Sequence, residues 1–426
     1  MRILVLSDEV WNDQINGNNV TSNWFVGMDA EFANIYASPG TPYNPCCTRY
    51  FQITDMMMLK SIIGKKKAGR MLAFSENLNE INGEKEPKRL YEFLKSISGS
   101  WLRMARDLLW SIGTYDLKAM KMFLDEFKPD VIFSERRATC KMLRLENIVQ
   151  ELCHVPMFAF TGDDEYSLKR FSFSPFFWIN RFQVRKQLRQ NVKQYKIYYT
   201  LSQEQKEYYE RIFGCRCKLL HKCGTHKQAH RDHTVHTPIK MIYAGKLYCN
   251  RWRVLSQIAD VLRDINTEKV KIQLDIYTKD KVNEKQNRLL NDGRNAVIKG
   301  AVTQEELNRL YQQADIALHV ESKDLKYRLA TRFSFSTKIV DCLFSGCAVL
   351  AYCWDQHSGY TYLKREDAGI CVASAKELKK ALWEICDDPE MIYEYAQKAY
   401  WCADKNHLRK HIQAMLLNDF SAACMN

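Results

Sequence analysis

No apolar run in this sequence approaches the roughly 18 residues that a membrane-spanning helix requires. The first residues contain a short apolar stretch that ends at Asp8, without the longer apolar core and small-residue cleavage site of a secretion signal. The sequence also lacks internal repeats and low-complexity segments. From these absences we expect a soluble, cytoplasmic protein that is not built from repeats.

Signs of a disulfide framework are missing as well. The fifteen cysteines are odd in number and scattered over a chain without a secretion signal, so reduced thiols are expected. One stretch, residues 215–236, has enough potential ligands for zinc, but its spacing matches no common closed zinc site. The spacing favours residues that simply flank a hinge, so no metal site is predicted. The sequence alone leaves open whether this cluster binds a metal ion. The cluster consists of Cys215, Cys217, His221, Cys223, His226, His230, His233 and His236.

The chain is long and basic. Its 426 residues exceed what one ordinary core holds, so two domains of about 200 residues each are expected. The 63 Lys and Arg residues outnumber the 50 Asp and Glu residues, which gives a formal net charge of +13. This charge favours anionic partners, among them nucleotides, lipid phosphates, a membrane surface and nucleic acid, without choosing among them.

Short apolar runs alternate with helical stretches in both halves of the chain, a pattern that predicts parallel sheets. A stretch rich in His, Thr and Lys, residues 224–238, has no periodicity and is the predicted linker between two α/β domains. The runs of the first half are 3–6, 34–36, 131–133, 157–160 and 197–199. Those of the second half are 239–244, 272–277, 296–298, 316–320, 348–352 and 370–372.

One segment, residues 332–351, carries the strongest chemical signal. Ser336 or Thr337 is placed to cap a short helix, which Gly346 ends before a buried strand. The N–H groups at the start of this helix, its positive dipole end and Lys338 together suit a phosphate. Asp341, one turn later, is placed to accept hydrogen bonds from ribose hydroxyls. Both features predict a nucleoside diphosphate as the ligand.

With these residues the chain resembles glycosyltransferase family 4 and its GT-B relatives, which carry a Lys-x-x-Glu-x-x-x-x-Gly helix before an apolar strand. Lys338, Asp341 and Gly346 match this form, with Asp where the family usually has Glu. The resemblance implies an α/β fold of the GT-B class, in which two tandem Rossmann-like doubly wound domains face a central cleft. It implies an acceptor-binding domain in 1–223, a nucleotide-sugar-binding domain in 239–400, and a C-terminal helix in 401–426 that returns to the N-terminal domain.

A second matching segment lies at the start of the C-terminal domain. Gly245 and Lys246 follow the first strand of that domain, and Arg251 stands six residues after the glycine. In the family this glycine permits close approach of the donor and a cation holds its diphosphate. The resemblance therefore implies Gly245, Lys246 and Arg251 as donor-binding residues.

The chain departs from the family at the acidic residue expected eight positions before Asp341, where Phe333 stands instead. Glu321 or Asp324 is a candidate to supply the missing carboxylate near the sugar. The predicted donor site thus contains Gly245, Lys246, Arg251, Glu321, Ser336, Thr337, Lys338 and Asp341.

Cations and helix N–H groups stabilise a departing diphosphate without a metal ion. Arg251 and Lys338 are the predicted catalytic residues, and no metal or other cofactor is expected besides the nucleotide-sugar substrate. Family 4 implies retention of the anomeric configuration. The acceptor is expected in the N-terminal domain, where Asp163 and Asp164 are candidates to bind sugar hydroxyls.

Residues 171–193 mix aromatic and cationic side chains, and Lys65, Lys66 and Lys67 extend the basic character. Two interpretations stay open: docking on an anionic membrane that bears a lipid-linked acceptor, or an ordinary half-buried helix with a solvated face. The first interpretation implies a peripheral location at the inner face of the membrane.

The predicted function is transfer of a sugar from a nucleotide-diphosphate sugar to a glycan or lipid-linked saccharide in cell-surface polysaccharide biosynthesis. One alternative is an epimerase of nucleotide sugars on the same fold, and Phe333 argues against the acidic cluster that it needs. The other is a non-catalytic, basic nucleic-acid-binding protein. It does not explain the phosphate-binding helix, and no nucleic-acid-binding motif is present, so no nucleic-acid partner is expected.

Overall fold

The computed structural model describes residues 1–14, 20–64, 66–72, 99–135, 139–170, 172–224 and 235–425. The chain divides into two compact units. The first contains Met1–Leu220 together with Ile412–Asn426, and the second contains His221–His411. The predicted linker, residues 224–238, lies mostly outside the described residues, because only Gly224 and 235–238 are described.

The first unit is built on a sheet with the strand order β4-β3-β2-β1-β5-β6-β7-β8. All described strands of this sheet run parallel except β4, which pairs antiparallel with β3. The strands are β1 (Arg2–Ser7), β2 (Glu31–Tyr36), β3 (Cys47–Gln52), β4 (Arg70–Met71), β5 (Val131–Glu135), β6 (Met157–Thr161), β7 (Tyr195–Thr200) and β8 (Cys217–Leu219). The helices are α1 (Val20–Phe25), α2 (Asp55–Ile63), α3 (Ser100–Ile112), α4 (Leu117–Phe127), α5 (Cys140–Cys153), α6 (Pro175–Asn191) and α7 (Gln203–Phe213).

The second unit has a parallel six-stranded sheet with the order β11-β10-β9-β12-β13-β14. The chain reverses its direction of travel across the sheet between β9 and β12, which is the doubly wound arrangement. The strands are β9 (Ile239–Ala244), β10 (Ile272–Tyr277), β11 (Ala296–Gly300), β12 (Ile316–Val320), β13 (Ala348–Tyr352) and β14 (Ile370–Val372). The helices are α8 (Arg251–Ile265), α9 (Glu284–Leu290), α10 (Gln304–Gln312), α11 (Leu325–Thr331), α12 (Thr337–Leu343), α13 (Ser358–Arg365), α14 (Ala375–Asp387) and α15 (Glu390–His407).

The helices of the second unit cover the sheet with the apolar faces that their spacing predicts. In α8 the buried side chains Leu255, Ile258, Ala259 and Leu262 recur at helical intervals, and they belong to the same core as the strands. Thr303 is the N-cap residue of helix α10, and its side chain and that of Glu306 form a capping box. Side-chain caps and buried apolar faces therefore both stabilise the helices of this unit.

The last helix, α16 (Arg409–Cys424), lies far along the chain from the strands that it covers. From Ile412 onward its residues belong to the first unit. Phe420 packs with its ring centroid 4.7 Å from that of Phe158, and Asp419 accepts a hydrogen bond of 2.9 Å from the hydroxyl of Tyr199. Lys218 pairs with the same carboxylate at 2.5 Å. This helix therefore completes the core of the first unit.

All fifteen cysteines lie in the described part of the chain, and none of them forms a disulfide there. Within those same residues, every helix is too short or too polar to cross a membrane.

Candidate functional site

The candidate site lies in the second unit, where the carboxyl ends of β9 and β12 meet at the reversal of strand order. Ligands of doubly wound proteins bind outside such a point. Gly245 follows β9 directly, and Glu321 follows β12. Helices α8 and α12 begin nearby with Arg251 and Thr337, so four segments separated in sequence deliver their residues to one place.

Gly245 and Lys338 are in close contact. A Cβ atom on residue 245 would lie 1.9 Å from the Lys338 Nζ and 2.9 Å from the hydroxyl oxygen of Tyr243. Any side chain at this position would therefore force the Lys338 ammonium group to move. The Gly245 N–H donates to the Tyr277 carbonyl (2.9 Å), which fixes the loop to the sheet.

Arg251 and Glu321 form a buried two-pronged ion pair. Nε of Arg251 donates to Oε2 at 2.9 Å, and Nη2 donates to Oε1 at 2.6 Å. The side chains are 13% and 4% exposed. Burial alone would raise the pKa of Glu321, but the charge of Arg251 holds that pKa below its usual value. From the sequence, Glu321 and Asp324 were the two candidates for the carboxylate near the sugar. In the structure Glu321 pairs with Arg251, the residue predicted to hold the diphosphate.

The pair leaves one side of the guanidinium available. Within the described part of the chain, the hydrogen bonds of Arg251 use Nε and Nη2, and none uses Nη1. The ring of Tyr248 lies 4.9 Å from the guanidinium carbon. Glu321 and Tyr248 therefore hold Arg251 in one orientation, which is how a guanidinium is prepared to grip phosphate oxygens.

Lys338 is a half-buried lysine with an unusual pKa. Burial, with the nearby charge of Arg251, lowers the pKa of Lys338 to about 8. Its Nζ lies 5.6 Å from the centre of the Tyr243 ring. Two cations and one carboxylate thus share a partly desolvated place, which leaves a positive excess suited to an anion.

Lys246 differs from these residues because it is exposed. Its Nζ lies 5.8 Å from the Tyr248 ring, and its backbone carbonyl accepts a 2.8 Å hydrogen bond from the Tyr243 hydroxyl. The next residue, Leu247, donates its N–H to Asp280 at 2.5 Å. The loop is therefore fixed at its backbone, with the Lys246 side chain at the rim.

Helix α12 begins where the sequence predicts, but its first turn lacks the predicted side-chain cap. Ser336 occupies the N-cap position, yet its side chain makes no capping hydrogen bond. The prediction of a side-chain cap from Ser336 is therefore wrong, and the first turn is closed by the 3.0 Å bond from the Ile339 N–H to the Ser336 carbonyl. Thr337 is the first helical residue, directly before Lys338. Contact of either residue with a phosphate remains a prediction.

Asp341 has a partner that sequence reasoning missed. Lys222 Nζ lies 2.5 Å from Oδ1 of Asp341, and the two side chains are 22% and 30% exposed. The carboxylate is therefore held in position while part of it still faces solvent. Only folding reveals this pair, because the two residues are far apart in sequence.

The position of the missing family carboxylate is filled by an aromatic side chain. Phe333 is buried, with the guanidinium carbon of Arg332 at 3.9 Å from its ring centre. Asp324, the other candidate, caps α11 in position and accepts a 2.6 Å hydrogen bond from Asn250. Glu321 is the closer carboxylate to Arg251, through the ion pair described above.

The two acceptor candidates, Asp163 and Asp164, lie in the first unit and have different environments. Asp163 is exposed, and its carbonyl accepts a 2.7 Å hydrogen bond from Gln205. Asp164 is 1% exposed and accepts from the backbone N–H of Ser167 at 2.8 Å, with Arg181 Nη2 at 3.4 Å. This burial contradicts an acceptor contact for Asp164, whose carboxylate is used to hold its own loop.

The described Cys and His residues of the stretch 215–236 do not come together in a group of three potential metal ligands. Cys215 and Cys217 have their sulfur atoms 3.6 Å apart. The His221 ring instead packs 4.7 Å from the ring of Phe335, and His236 Nδ1 lies 2.9 Å from the Asp315 carboxylate. His226, His230 and His233 lie outside the described residues. In the part of the chain that the structure describes, no group of three potential metal ligands includes a member of this stretch.

Comparison with known proteins gives matches in family and in fold. Residues 256–418 match the family model described as "Glycosyl transferase-like". No curated protein matches the chain. HepE from Anabaena, solved in complex with UDP, aligns with a TM-score of 0.62 and 12% identity over 99% of this chain and 100% of its own.

Two further solved structures have the same architecture. Sucrose-phosphate synthase from Thermosynechococcus elongatus has a TM-score of 0.59 and 12% identity, over 99% of this chain and 98% of its own. Trehalose-6-phosphate synthase OtsA has a TM-score of 0.60 and 9% identity, over 99% of both chains. At such identities the likeness concerns the fold. The chain therefore has the GT-B fold of these glycosyltransferases, and its residues 256–418 match the glycosyl transferase-like family.

Proposed function

We propose that this protein is a glycosyltransferase that takes a sugar from a nucleoside-diphosphate sugar, with UDP as the nucleotide. The observation that carries the proposal is the positive site of Arg251 and Lys338 beside Gly245. It lies at the strand-order reversal of a doubly wound unit, where that fold binds nucleotides. HepE, which has the same fold, is solved with UDP, UDP-glucose and UDP with glucose, and this favours uridine over the other bases.

In this proposal the donor diphosphate lies between Arg251 and Lys338, with Lys246 at the rim. The bond from the anomeric carbon to the diphosphate breaks, and the developing negative charge passes to the phosphate oxygens. Arg251 meets it with the Nη1 side of a guanidinium already oriented by Glu321, so little reorganisation is needed in the transition state. Lys338 adds an ammonium group from a half-buried place where electrostatic attraction is stronger than in water.

The finer features of the reaction are also proposals. We expect retention of the anomeric configuration and no metal requirement, because the two cations already balance the leaving group. Asp341 would accept from the ribose hydroxyls, and the N–H groups of Ser336 and Thr337 would meet phosphate oxygens. The acceptor would be a glycan or a lipid-linked saccharide in cell-surface polysaccharide biosynthesis, bound by the first unit.

A second part of the proposal concerns an apolar and basic surface of the first unit. Helix α3 packs against both α2 and α6, and all three helices expose large apolar side chains. Cationic residues on or next to these helices are exposed as well, and α6 contains no acidic residue. We propose that these side chains form one surface, which we name the α2-α3-α6 surface. Its exposed apolar residues are Leu59, Ile62, Ile63, Trp101, Leu108, Ile112, Phe176, Ile179 and Phe182, and its exposed cations are Lys60, Lys66, Lys67, Arg103, Arg106, Lys186 and Arg189.

Apolar side chains beside cations are the combination that binds the interface of an anionic membrane. Not every predicted cation takes part. Arg181 is buried and donates to the carbonyl oxygens of Asp164 and Ser167, so it serves the fold. The guanidinium carbon of Arg185 lies 3.9 Å from the centre of the Tyr166 ring. The remaining exposed residues support peripheral docking on a membrane that carries a lipid-linked acceptor.

Thermal unfolding in the presence of UDP, GDP, CDP and ADP tests the donor site, since a ligand of the native state raises its stability. Wild type, Lys338→Ala and Arg251→Lys are compared, each against its own melting curve without nucleotide. Lys380→Ala removes an exposed lysine of α14, in an i,i+4 pair with Glu384, and serves as the control. We expect a shift with UDP that survives a chelator, fades in both site variants and persists in the control. Absence of a shift with every nucleotide would reject the proposal.

Incubation with UDP-sugars then separates transfer from the epimerase alternative. A transferase releases UDP in the presence of an acceptor and yields a product whose anomeric configuration NMR reads directly. Conversion of the UDP-sugar into its epimer without release of UDP would support the alternative instead.

A further inference from the structure

A second cluster of chemically active side chains lies in the second unit, outside the set predicted from the sequence. His319 is in strand β12, Cys353 directly follows β13, and His357 is the residue before helix α13. Their potential ligand atoms all lie within 4.8 Å of one another. The three residues are 4%, 0% and 1% exposed. Two imidazoles and one thiol thus meet inside the protein.

Regular secondary structure and close packing hold the three residues in place. Strands β12 and β13 pair in register, with His319 opposite Ala351, two residues before Cys353. A Cβ on Gly359 would lie 2.8 Å from His319 Nε2 and 3.2 Å from His357 Nδ1. The glycine therefore leaves the space in which the two imidazoles approach each other.

The nitrogen atoms are in a state that suits coordination. His319 Nε2 is buried, and within the described residues it has no hydrogen-bond partner. A buried polar atom without a partner is costly, and a metal ion would supply one. His357 Nδ1 accepts a 3.1 Å hydrogen bond from the Gly359 N–H, so this nitrogen carries a lone pair and not a proton. A bond from this nitrogen to a metal ion would replace that hydrogen bond.

The charges around the cluster are mixed. The Glu321 carboxylate interacts favourably with both histidines when they are charged, whereas Arg251 and Lys338 oppose a cation. A histidine binds a metal ion through an unprotonated ring nitrogen. Burial raises the pKa of the Cys353 thiol. Coordination therefore has to displace the thiol proton, which passes to solvent as the sulfur–metal bond forms.

We propose that His319, Cys353 and His357 bind one zinc ion. Two imidazole nitrogens and one thiolate are ligands that zinc accepts, and three protein ligands leave its fourth position open. The thiolate offsets one of the two positive charges of the ion. The proposal does not rest on sugar transfer, because none of the three ligands belongs to the donor site described above.

Cobalt(II) tests the site in the whole 426-residue chain, because it replaces zinc and absorbs light where zinc does not. The purified protein is stripped with a chelator and titrated with cobalt chloride. We expect one equivalent to bind, with visible bands of tetrahedral cobalt and a near-ultraviolet thiolate charge-transfer band. Zinc added afterwards should abolish both signals and raise the melting temperature above that of the stripped protein. Absence of the thiolate band would overturn the proposal.

Variants then identify the thiolate and the imidazole. Cys353→Ser should lose the charge-transfer band, and His319→Gln should weaken cobalt binding by at least tenfold. Cys347→Ser is the matched control, because Cys347 is equally buried in the same unit and its thiol faces the carbonyls of Tyr311 and Ala314. Its band should be that of wild type. A band that persists in Cys353→Ser would assign the thiolate elsewhere and overturn the proposal.

Alkylation of the wild-type protein gives a second measurement that needs no folded variant. Zinc should slow the reaction of Cys353 with iodoacetamide in mild denaturant, as read by peptide mass spectrometry, while Cys347 reacts at the same rate with and without zinc. Equal rates for Cys353 in the two conditions would also reject the site.

Discussion

The ammonium group of Lys338 occupies the space that a side chain on residue 245 would need, with 1.9 Å between its Nζ and an added Cβ. Gly245→Ala should therefore push the lysine out of place. Because a charged hydrogen bond contributes about 1.5–3 kcal/mol, we expect UDP affinity to fall roughly 10- to 100-fold, as measured by calorimetry.

A double-mutant cycle distinguishes this cause from general damage to the loop. If Gly245→Ala acts by displacing the lysine, it should add little to the loss already caused by Lys338→Ala. Additive losses in affinity would mean that the glycine serves the ligand or the loop directly, and the argument from packing would be wrong.

The pKa of Lys338 predicts a pH dependence of donor binding. Without nucleotide this pKa is lowered to about 8 by burial and by the charge of Arg251. A diphosphate binds the charged form, so affinity is full below pH 8 and decreases as the pH rises through 8. Above that point UDP affinity should fall about tenfold per pH unit. Calorimetry between pH 7 and pH 9.5 should also detect uptake of a proton on binding near pH 8.

Lys338→Ala is the control for this profile, since it removes the titrating group. Its weaker affinity should hardly change between pH 7 and pH 9.5. A variant with the wild-type slope would assign the titration to another group.

The buried pair of Arg251 and Glu321 predicts unequal effects on stability. Arg251→Ala leaves a buried carboxylate without its partner, and we expect a loss of about 3–5 kcal/mol in the free energy of unfolding. Replacing both residues at once, as in Arg251→Met with Glu321→Leu, should cost much less, because no buried charge is left. Urea denaturation measures both. If the double variant were as unstable as the single one, the pair would not be the reason for the loss.

The same double variant should still fail to bind UDP, since Nη1 of Arg251 is the proposed phosphate contact. Recovery of stability without recovery of affinity separates the structural role of the pair from its role in binding. Wild-type affinity in the double variant would remove Arg251 from the site.

Asp341 is predicted to contact the ribose, and its pairing with Lys222 allows a matched test. Asp341→Asn should weaken both uridine and UDP by a similar factor, roughly tenfold for a charged hydrogen bond. Lys338→Ala should weaken UDP and leave uridine unaffected, because uridine has no phosphate. Lys222→Met should change either affinity less than threefold. Equal effects of Asp341→Asn and Lys222→Met would show that only their ion pair matters.

The α2-α3-α6 surface predicts binding to anionic lipid. Vesicles that contain phosphatidylglycerol should sediment with the wild-type protein, and neutral phosphatidylcholine vesicles should not. Ile63→Asp and Phe182→Asp, at residues 78% and 55% exposed, should weaken this binding at least tenfold without lowering the melting temperature. Trp401→Asp, at an exposed aromatic residue of α15, is the control. Binding that is unaffected by the first two substitutions would reject this surface.

The sequence predicted most of the sheet that supports the site. The runs 239–244, 272–277, 316–320, 348–352 and 370–372 have the same bounds as strands of the second unit. They could be recognised because buried parallel strands are continuously apolar. Strand β3 escaped notice because Thr48 and Arg49 interrupt its apolar pattern with exposed side chains. Strand β4 has only two residues, too few for any pattern.

The sequence indicated which residues belong to the site, but it did not indicate which residues they contact. Spacing and residue type singled out Arg251, Lys338 and Asp341. The pairing of Arg251 with Glu321 joins residues 70 positions apart, and that of Asp341 with Lys222 joins residues 119 positions apart. No local pattern encodes such pairs. For the same reason, the sequence does not show that His319, Cys353 and His357 lie together. Its only local concentration of Cys and His residues is the stretch 215–236.

The position of α16 in the first unit affects the order in which the chain can fold during synthesis. Strands β1 to β8 leave the ribosome first, but Phe420, which packs on Phe158 and Phe133, is made only after the whole second unit. Before Phe420 is made, this helix cannot cover Phe133 and Phe158. The Tyr199 hydroxyl likewise lacks Asp419, the acceptor of its hydrogen bond. The first unit can therefore complete its core only after Asp419 and Phe420 have been made, which follows synthesis of the whole second unit.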